Sequence, residues 1–185
     1  MPHYSIHLTE KQAEMAIPCC VSKIVLMALL MAAMGIHAGE ASNGNSSNPV
    51  AVGAFLDPQN TARAEVGVAP LVWDPRLAEF ARSYARQRRT DCTLKHSEGP
   101  LGENMFWGSG RMWNITDIVA AWVTQKQYYD HNLNVCNGPD CTHYTQIVWR
   151  NTERVGCAKI ICDSGDTLAV CEYSPPGNYI NSRPY

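Results

Sequence analysis

Two histidines are the residues best suited to chemistry. His96 precedes Ser97 and Glu98 in a loop after Cys92, and His143 stands at the opening of a short helix. An imidazole titrates near neutrality, so each can carry a proton or bind a metal. Acid and base work needs two titratable groups whose pKa values are held apart, and His143 with Glu103 supplies such a pair. No nucleophile accompanies them. Ser97 is next to His96 along the chain, but adjacency is not the geometry of a triad. A buried hydrogen-bond network joining loops to helices uses the same residue types without turnover.

Helices must position these groups, and their starts are marked. Asp57-Pro58 and Asp74-Pro75 each place a capping carboxylate before a proline at the first helical position, and Gly67 is a stop for the first helix. In the second, Leu77, Phe80, Ala81, Tyr84 and Ala85 fall on one stripe, leaving Arg76, Glu79, Arg82, Arg86 and Arg89 as a solvated face. A third helix is expected from about Thr116 to Tyr129, with Ile118, Ala121, Trp122 and Gln125 on one side, so that an amide points where apolar groups otherwise point. A fourth runs from Tyr144 to Trp149. The runs Gly156 to Cys162 and Thr167 to Tyr173 flank the turn-rich Asp163 to Asp166 and read as a hairpin that sets Cys157 nearly opposite Cys171. Helices on both sides of a mainly antiparallel sheet follow, an α+β class.

The 185 residues carry a net charge of −2, which argues against nucleic acid as a partner. Lys23, the apolar run Ile24 to Met34 and the small residues Ala38, Gly39 and Ala41 have the order of a secretory signal, spanning 1–41 with cleavage near Ala38 to Ala41. Translation then starts at Met1 or at Met15. Ser42 to Pro49 is rich in Ser, Asn and Gly, so 42–50 reads as a flexible leader and 51–185 as one domain. Cys19 and Cys20 fall in the signal, leaving Cys92, Cys136, Cys141, Cys157, Cys162 and Cys171 for three disulfides in an oxidising compartment. Six cysteines allow fifteen pairings, and no paired Cys-x-x-Cys spacing points to a zinc cluster. Asn45 and Asn114 are glycosylation acceptors by their Asn-x-Ser/Thr context.

Four ordered segments carry a family likeness. Cys141-Thr-His-Tyr-Thr-Gln-Ile-Val-Trp-Arg150 and Cys171-Glu-Tyr-Ser-Pro-Pro-Gly-Asn-Tyr179, with Val66 to Leu77 and Gly102 to Gly110, resemble the CAP superfamily, most closely its plant pathogenesis-related class 1 group. The resemblance implies a three-layer α-β-α sandwich and the pairings Cys92 with Cys162, Cys136 with Cys141, and Cys157 with Cys171. It also implies a cleft tetrad of two histidines and two glutamates, which falls on His96, Glu103, His143 and Gln125. The last position departs from the family glutamate. An amide keeps hydrogen-bonding capacity but removes a negative charge. No cofactor is required. A divalent cation, zinc or calcium, would be held only weakly by His96, His143 and Glu103, since its affinity draws on ligand charge.

Two further segments gain meaning from the resemblance. Tyr128, Tyr129, Asp130, His131, Leu133 and Val135 match a loop that the family associates with sterols, and tyrosines suit a rigid apolar body with one polar head. After Ser174-Pro175 the tail to Tyr185 resembles a defence-signalling peptide released at that bond, although Glu172 stands where the pattern has asparagine. The alternative is a strap packed over the domain. The expectation is a secreted, monomeric, non-enzymatic plant defence protein that binds a sterol or other lipid. It would act on pathogen membranes by sterol withdrawal, in the extracellular space rather than the vacuole. A peptide precursor and a metal-dependent hydrolase are the alternatives.

Overall fold

The computed structural model describes residues 48–185. The expected signal, the leader up to residue 47, Cys19, Cys20 and Asn45 lie outside the described residues. Helix α1 spans Pro49–Glu65, starting nine residues before the expected start at Asp57-Pro58. Asn48 and Pro49 carry the same cap-then-proline signature, and the Asn48 side chain accepts from the Val50 N–H at 3.0 Å. Pro49 and Val50, read as leader, are therefore helical, and Pro58 lies inside the helix. At its end Gly67 adopts φ +69°, a left-handed conformation that a side chain would disfavour.

Strand β1 (Val72–Trp73) leads to α2 (Pro75–Gln87), capped by Asp74 as expected. The buried line of α2 is Ala78, Ala81 and Ala85, whereas Phe80 is 42% exposed and Leu77 only half-buried. The expected stripe is rotated because the helix lies directly on the sheet. A Cβ at Gly156 would stand 2.1 Å from the Ala78 nitrogen, so only alanines fit along that contact.

Next come β2 (Gly102–Gly108) and α3 (Ile115–Thr124), the latter capped by Asn114, whose Oδ1 accepts from the Asp117 N–H at 2.7 Å. The third helix is shorter than expected. It tightens into a 3₁₀ turn over Gln125–Tyr128, and Tyr129–Asp130 become strand β3, paired with β4 (Val135–Cys136). Of its expected stripe Ile118 and Trp122 are buried, and Val119 takes the place of the exposed Ala121.

Helix α4 covers Thr142–Ile147, starting two residues early, and β5 (Arg154–Ile161) and β6 (Thr167–Ser174) form the expected hairpin with Cys157 directly opposite Cys171. The sheet order is β1-β5-β6-β2, antiparallel except for β1 beside β5. On one face Ala81, Ala85, Met105, Leu168 and Val170 pack under α2. On the other, Phe55, Ile118, Trp122, Ile147 and Tyr173 join α1, α3 and α4. The fold is thus the three-layer α+β sandwich. Its disulfides are Cys92–Cys162, Cys136–Cys141 and Cys157–Cys171, as the resemblance implied.

One buried cation holds the layers near the site. Arg63 donates to the carbonyls of Ala69, Ile147, Trp149 and Thr152 at 2.6 to 2.8 Å, gathering the end of α4 and the loop into β5. Burial lowers its pKa to about 10.

Candidate functional site

The four expected tetrad residues separate into two clusters. In the first, His96 Nδ1 lies 2.5 Å from Glu103 Oε1, and the Ser97 N–H donates to both Glu103 oxygens at 3.0 and 3.3 Å. His96 is 65% exposed in its side chain while Glu103 is 4% exposed, so the imidazole covers a sunken carboxylate. The hydrogen bond that His96 donates to Glu103 raises the His96 pKa. Burial pushes Glu103 up, and hydrogen bonds from His96 and Ser97 outweigh it and hold it below the usual range.

Sequence reasoning treated Glu172 only as a departure from a pattern. It pairs with Glu103 across the β2–β6 ladder, is fully buried, and neither carboxyl oxygen has a hydrogen-bond partner among the described residues. Burial first and Glu103 second push its pKa up to about 9, so it is neutral at pH 7. The signal was its place one residue before a strand tyrosine. Period-two alternation puts it on the α2 face beside Val170.

The second cluster surrounds His143. Gln125 Nε2 and Asp140 Oδ2 both lie 2.9 Å from His143 Nδ1, so the ring donates to Asp140 when that nitrogen is protonated and accepts from Gln125 when it is not. Gln125 also donates to Asp140 Oδ2 at 3.1 Å, and its Oε1 accepts from the N–H groups of His143 and Tyr144 at 3.1 and 3.3 Å. The amide therefore satisfies the first turn of α4 with one end and a carboxylate with the other. A glutamate could do only the first. Burial lowers the His143 pKa against the pull of Asp140, and Trp122 stacks on the ring at 6.0 Å.

His96, Glu103 and His143 do line one cavity of about 390 Å³, together with Asp140, and Gln125 is not on its wall. Each imidazole spends Nδ1 on a neighbour, and among the described residues no group of three or more His, Cys, Asp or Glu side chains is placed to hold an ion. Ser97 contributes its backbone N–H to Glu103.

A second cavity, of about 450 Å³, lies between the β3–β4 hairpin and the C-terminal tail. Of the six expected loop residues only Tyr129 lines it. Tyr128 packs instead on Gly138, where a Cβ would meet its ring at 2.3 Å. Asp130 accepts from the Leu133 N–H, His131 stacks on Tyr185 at 4.3 Å, and Leu133 and Val135 are exposed. The adjacent tyrosines diverge because Tyr128 closes the 3₁₀ turn while Tyr129 opens β3. Trp149, Tyr179 and Pro184 add apolar wall, and Asp140, Thr142, Thr145 and Asn178 form a polar end.

The tail is one side of that groove. Ser174 is still in β6, its carbonyl accepting from the Glu153 N–H at 3.1 Å, and the Pro175 carbonyl accepts from Thr152 Oγ1 at 2.9 Å. Farther on, the Gly177 N–H donates to Gln146 Oε1 at 2.9 Å, Asn134 Nδ2 to the Ser182 carbonyl at 3.4 Å, and the Arg150 N–H to the Pro184 carbonyl at 2.6 Å. The Arg183 guanidinium donates to the His131 and Asn132 carbonyls, locking tail to hairpin. The segment is a strap.

A family model for the cysteine-rich secretory protein family (CAP) matches residues 56–173. Pathogenesis-related protein PR-1 of Medicago truncatula is 56% identical over 133 residues, covering 71% of this chain and 77% of its own length. Pathogenesis-related protein 1B of Nicotiana tabacum is 44% identical over 165 residues, covering 89% and 94%. Among solved structures, venom allergen-like protein 4 of Schistosoma mansoni superposes with a TM-score of 0.58 at 27% identity, covering 71% of this chain and 91% of that one.

Proposed function

The chain belongs to the cysteine-rich secretory protein family, and from that premise we propose that it is a secreted plant defence protein that binds a sterol or related lipid in the groove between the β3–β4 hairpin and the tail. The observation that carries this reading is the groove itself. A cavity of about 450 Å³ with aromatic walls from Tyr129, Trp149 and Tyr179 suits a rigid apolar body. The relatives' name, pathogenesis-related, supports a role in defence, and withdrawing sterol from a membrane would harm organisms that cannot make their own. Three disulfides support the extracellular compartment. In this reading the tail after Ser174 serves as a wall rather than as a released peptide, and the histidine cleft organises loops rather than turning over a substrate.

The test is equilibrium binding of a fluorescent sterol to the purified, disulfide-intact chain, beside Tyr129→Ala and Tyr179→Ala variants. Saturable micromolar binding is expected, weakened about tenfold or more by each variant at unchanged melting temperature, in line with the apolar area removed. Absence of saturable binding by the intact chain rejects the reading.

A further inference from the structure

Asp140, Thr142 and Asn178 line both cavities, so the aromatic groove and the histidine cleft meet at a shared polar waist. Resting on the lipid-binding reading above, we propose that this waist is the head-group site. The ligand's apolar body lies along Tyr129, Trp149 and Tyr179, and its single hydroxyl is seated between Asp140 and Asn178.

The waist is held ready before any ligand arrives. Asn178 sits at φ 58°, its Oδ1 accepts from Thr145 Oγ1 at 2.7 Å, and its Nδ2 donates to the Thr142 carbonyl at 2.9 Å. Asp140 Oδ1 accepts from the Thr142 N–H and Oγ1 at 2.8 and 2.7 Å, and Gln125 donates to its Oδ2. These bonds fix both side chains without exhausting them. Asn178 Nδ2 keeps a second hydrogen; Asp140 Oδ1 is filled by its two bonds from Thr142, but Oδ2 keeps one lone pair when His143 Nδ1 is unprotonated and only Gln125 donates to it, so one hydroxyl can donate to Oδ2 and accept from the amide. Fixed partners lose no rotamer freedom on binding, which favours a ligand that matches them.

The cavities on either side of the waist decide the orientation. Beyond the waist on one side stand His96, Glu103 and His143, which an apolar body would desolvate without replacing their hydrogen bonds. On the other side stand the aromatic walls. A ligand with one hydroxyl and a rigid apolar frame is oriented by that contrast, and a ligand without the hydroxyl leaves the polar pair unmatched.

The experiment compares three probes of the same frame: a sterol with a free hydroxyl, its acetate, and the parent hydrocarbon. With the intact chain the alcohol is expected to bind about tenfold or more tighter than either of the others. Asn178→Ala is expected to bring that ratio close to one while the hydrocarbon's affinity holds. Asp140→Asn, of the same shape, is expected to lower the ratio as well, giving a second arm if the alanine variant is unstable. Tyr179→Ala should weaken alcohol and hydrocarbon alike and keep the ratio. Equal affinities for the three probes on the intact chain, or a ratio untouched in both polar variants, overturn the head-group site while leaving sterol binding standing. No saturable binding of any probe overturns both the site and the reading on which it rests.

Discussion

The two halves of the cleft handle their carboxylates in opposite ways. Beside β2 and β6, Glu103 faces Glu172, and the conflict is relieved by keeping Glu172 neutral while His96 answers the charge on Glu103. Beside α4, Asp140 is met by the neutral amide of Gln125, and no proton has to be held back. An amide satisfies a carboxylate at any pH, whereas a carboxyl pair does so only while one member holds its proton. The first half should therefore be sensitive to pH through Glu172, whereas in the second the group that titrates is His143 beside Asp140 and not the amide.

The covalent frame of each half gives the largest expected effects. Cys92–Cys162, which ties the His96 loop to the β5–β6 turn, has a sequence separation of 70 residues, and Cys136–Cys141, beside the groove, has one of 5. Removing the first pair by a double alanine substitution should cost about 4 kcal/mol in denaturant unfolding, and removing the second about 2 kcal/mol. Equal losses would show that the two halves do not depend on their crosslinks as loop closure requires.

Gln125→Glu puts the conflict of the first half into the second, setting a carboxylate against Asp140. A loss of about 1–3 kcal/mol at pH 7 is expected, shrinking as the pH falls and the new acid takes up a proton. A neutral result would mean that donation from the amide to Asp140 contributes nothing.

Glu172→Gln tests the pH-sensitive half. Its folded pKa is raised, so its share of stability is fully present below the ordinary value of 4.5 and is lost as pH rises toward about 9. The variant's melting temperature should therefore fall less than the parent's across that window. Parallel curves would show that Glu172 does not titrate there.

His96→Ala should have the smallest effect, below about 1 kcal/mol, because the imidazole is largely exposed. The His96–Glu103 attraction is lost as pH rises through the raised His96 value and as it falls through the lowered Glu103 value. The difference between parent and variant should thus be greatest between those limits.

Local signals served best where one residue type does one job. The caps at Asp74 and Gly67, the β5–β6 hairpin and the opposition of Cys157 and Cys171 depend on neighbours in sequence, and all are present. The start of α1 was misplaced because Asn48-Pro49 and Asp57-Pro58 carry the same signature, and only packing over the whole helix selects between them. The buried stripe of α2 departs from the expected one because its contact is fixed by Gly156, in a distant strand.

The sequence by itself determined most element types, the fold class and the family, and it pointed to His96, Glu103, Gln125 and His143, because periodicity, caps and motif order are written along the chain. Tertiary structure alone decided that Gln125 turns behind His143, that Asp140 and Asn178 join two cavities, that Tyr128 and Tyr129 part company, and that Glu172 meets Glu103. Those relations span from 1 residue to 69 residues of sequence, and they arise only when strand register and helix packing fix which side chains share a space.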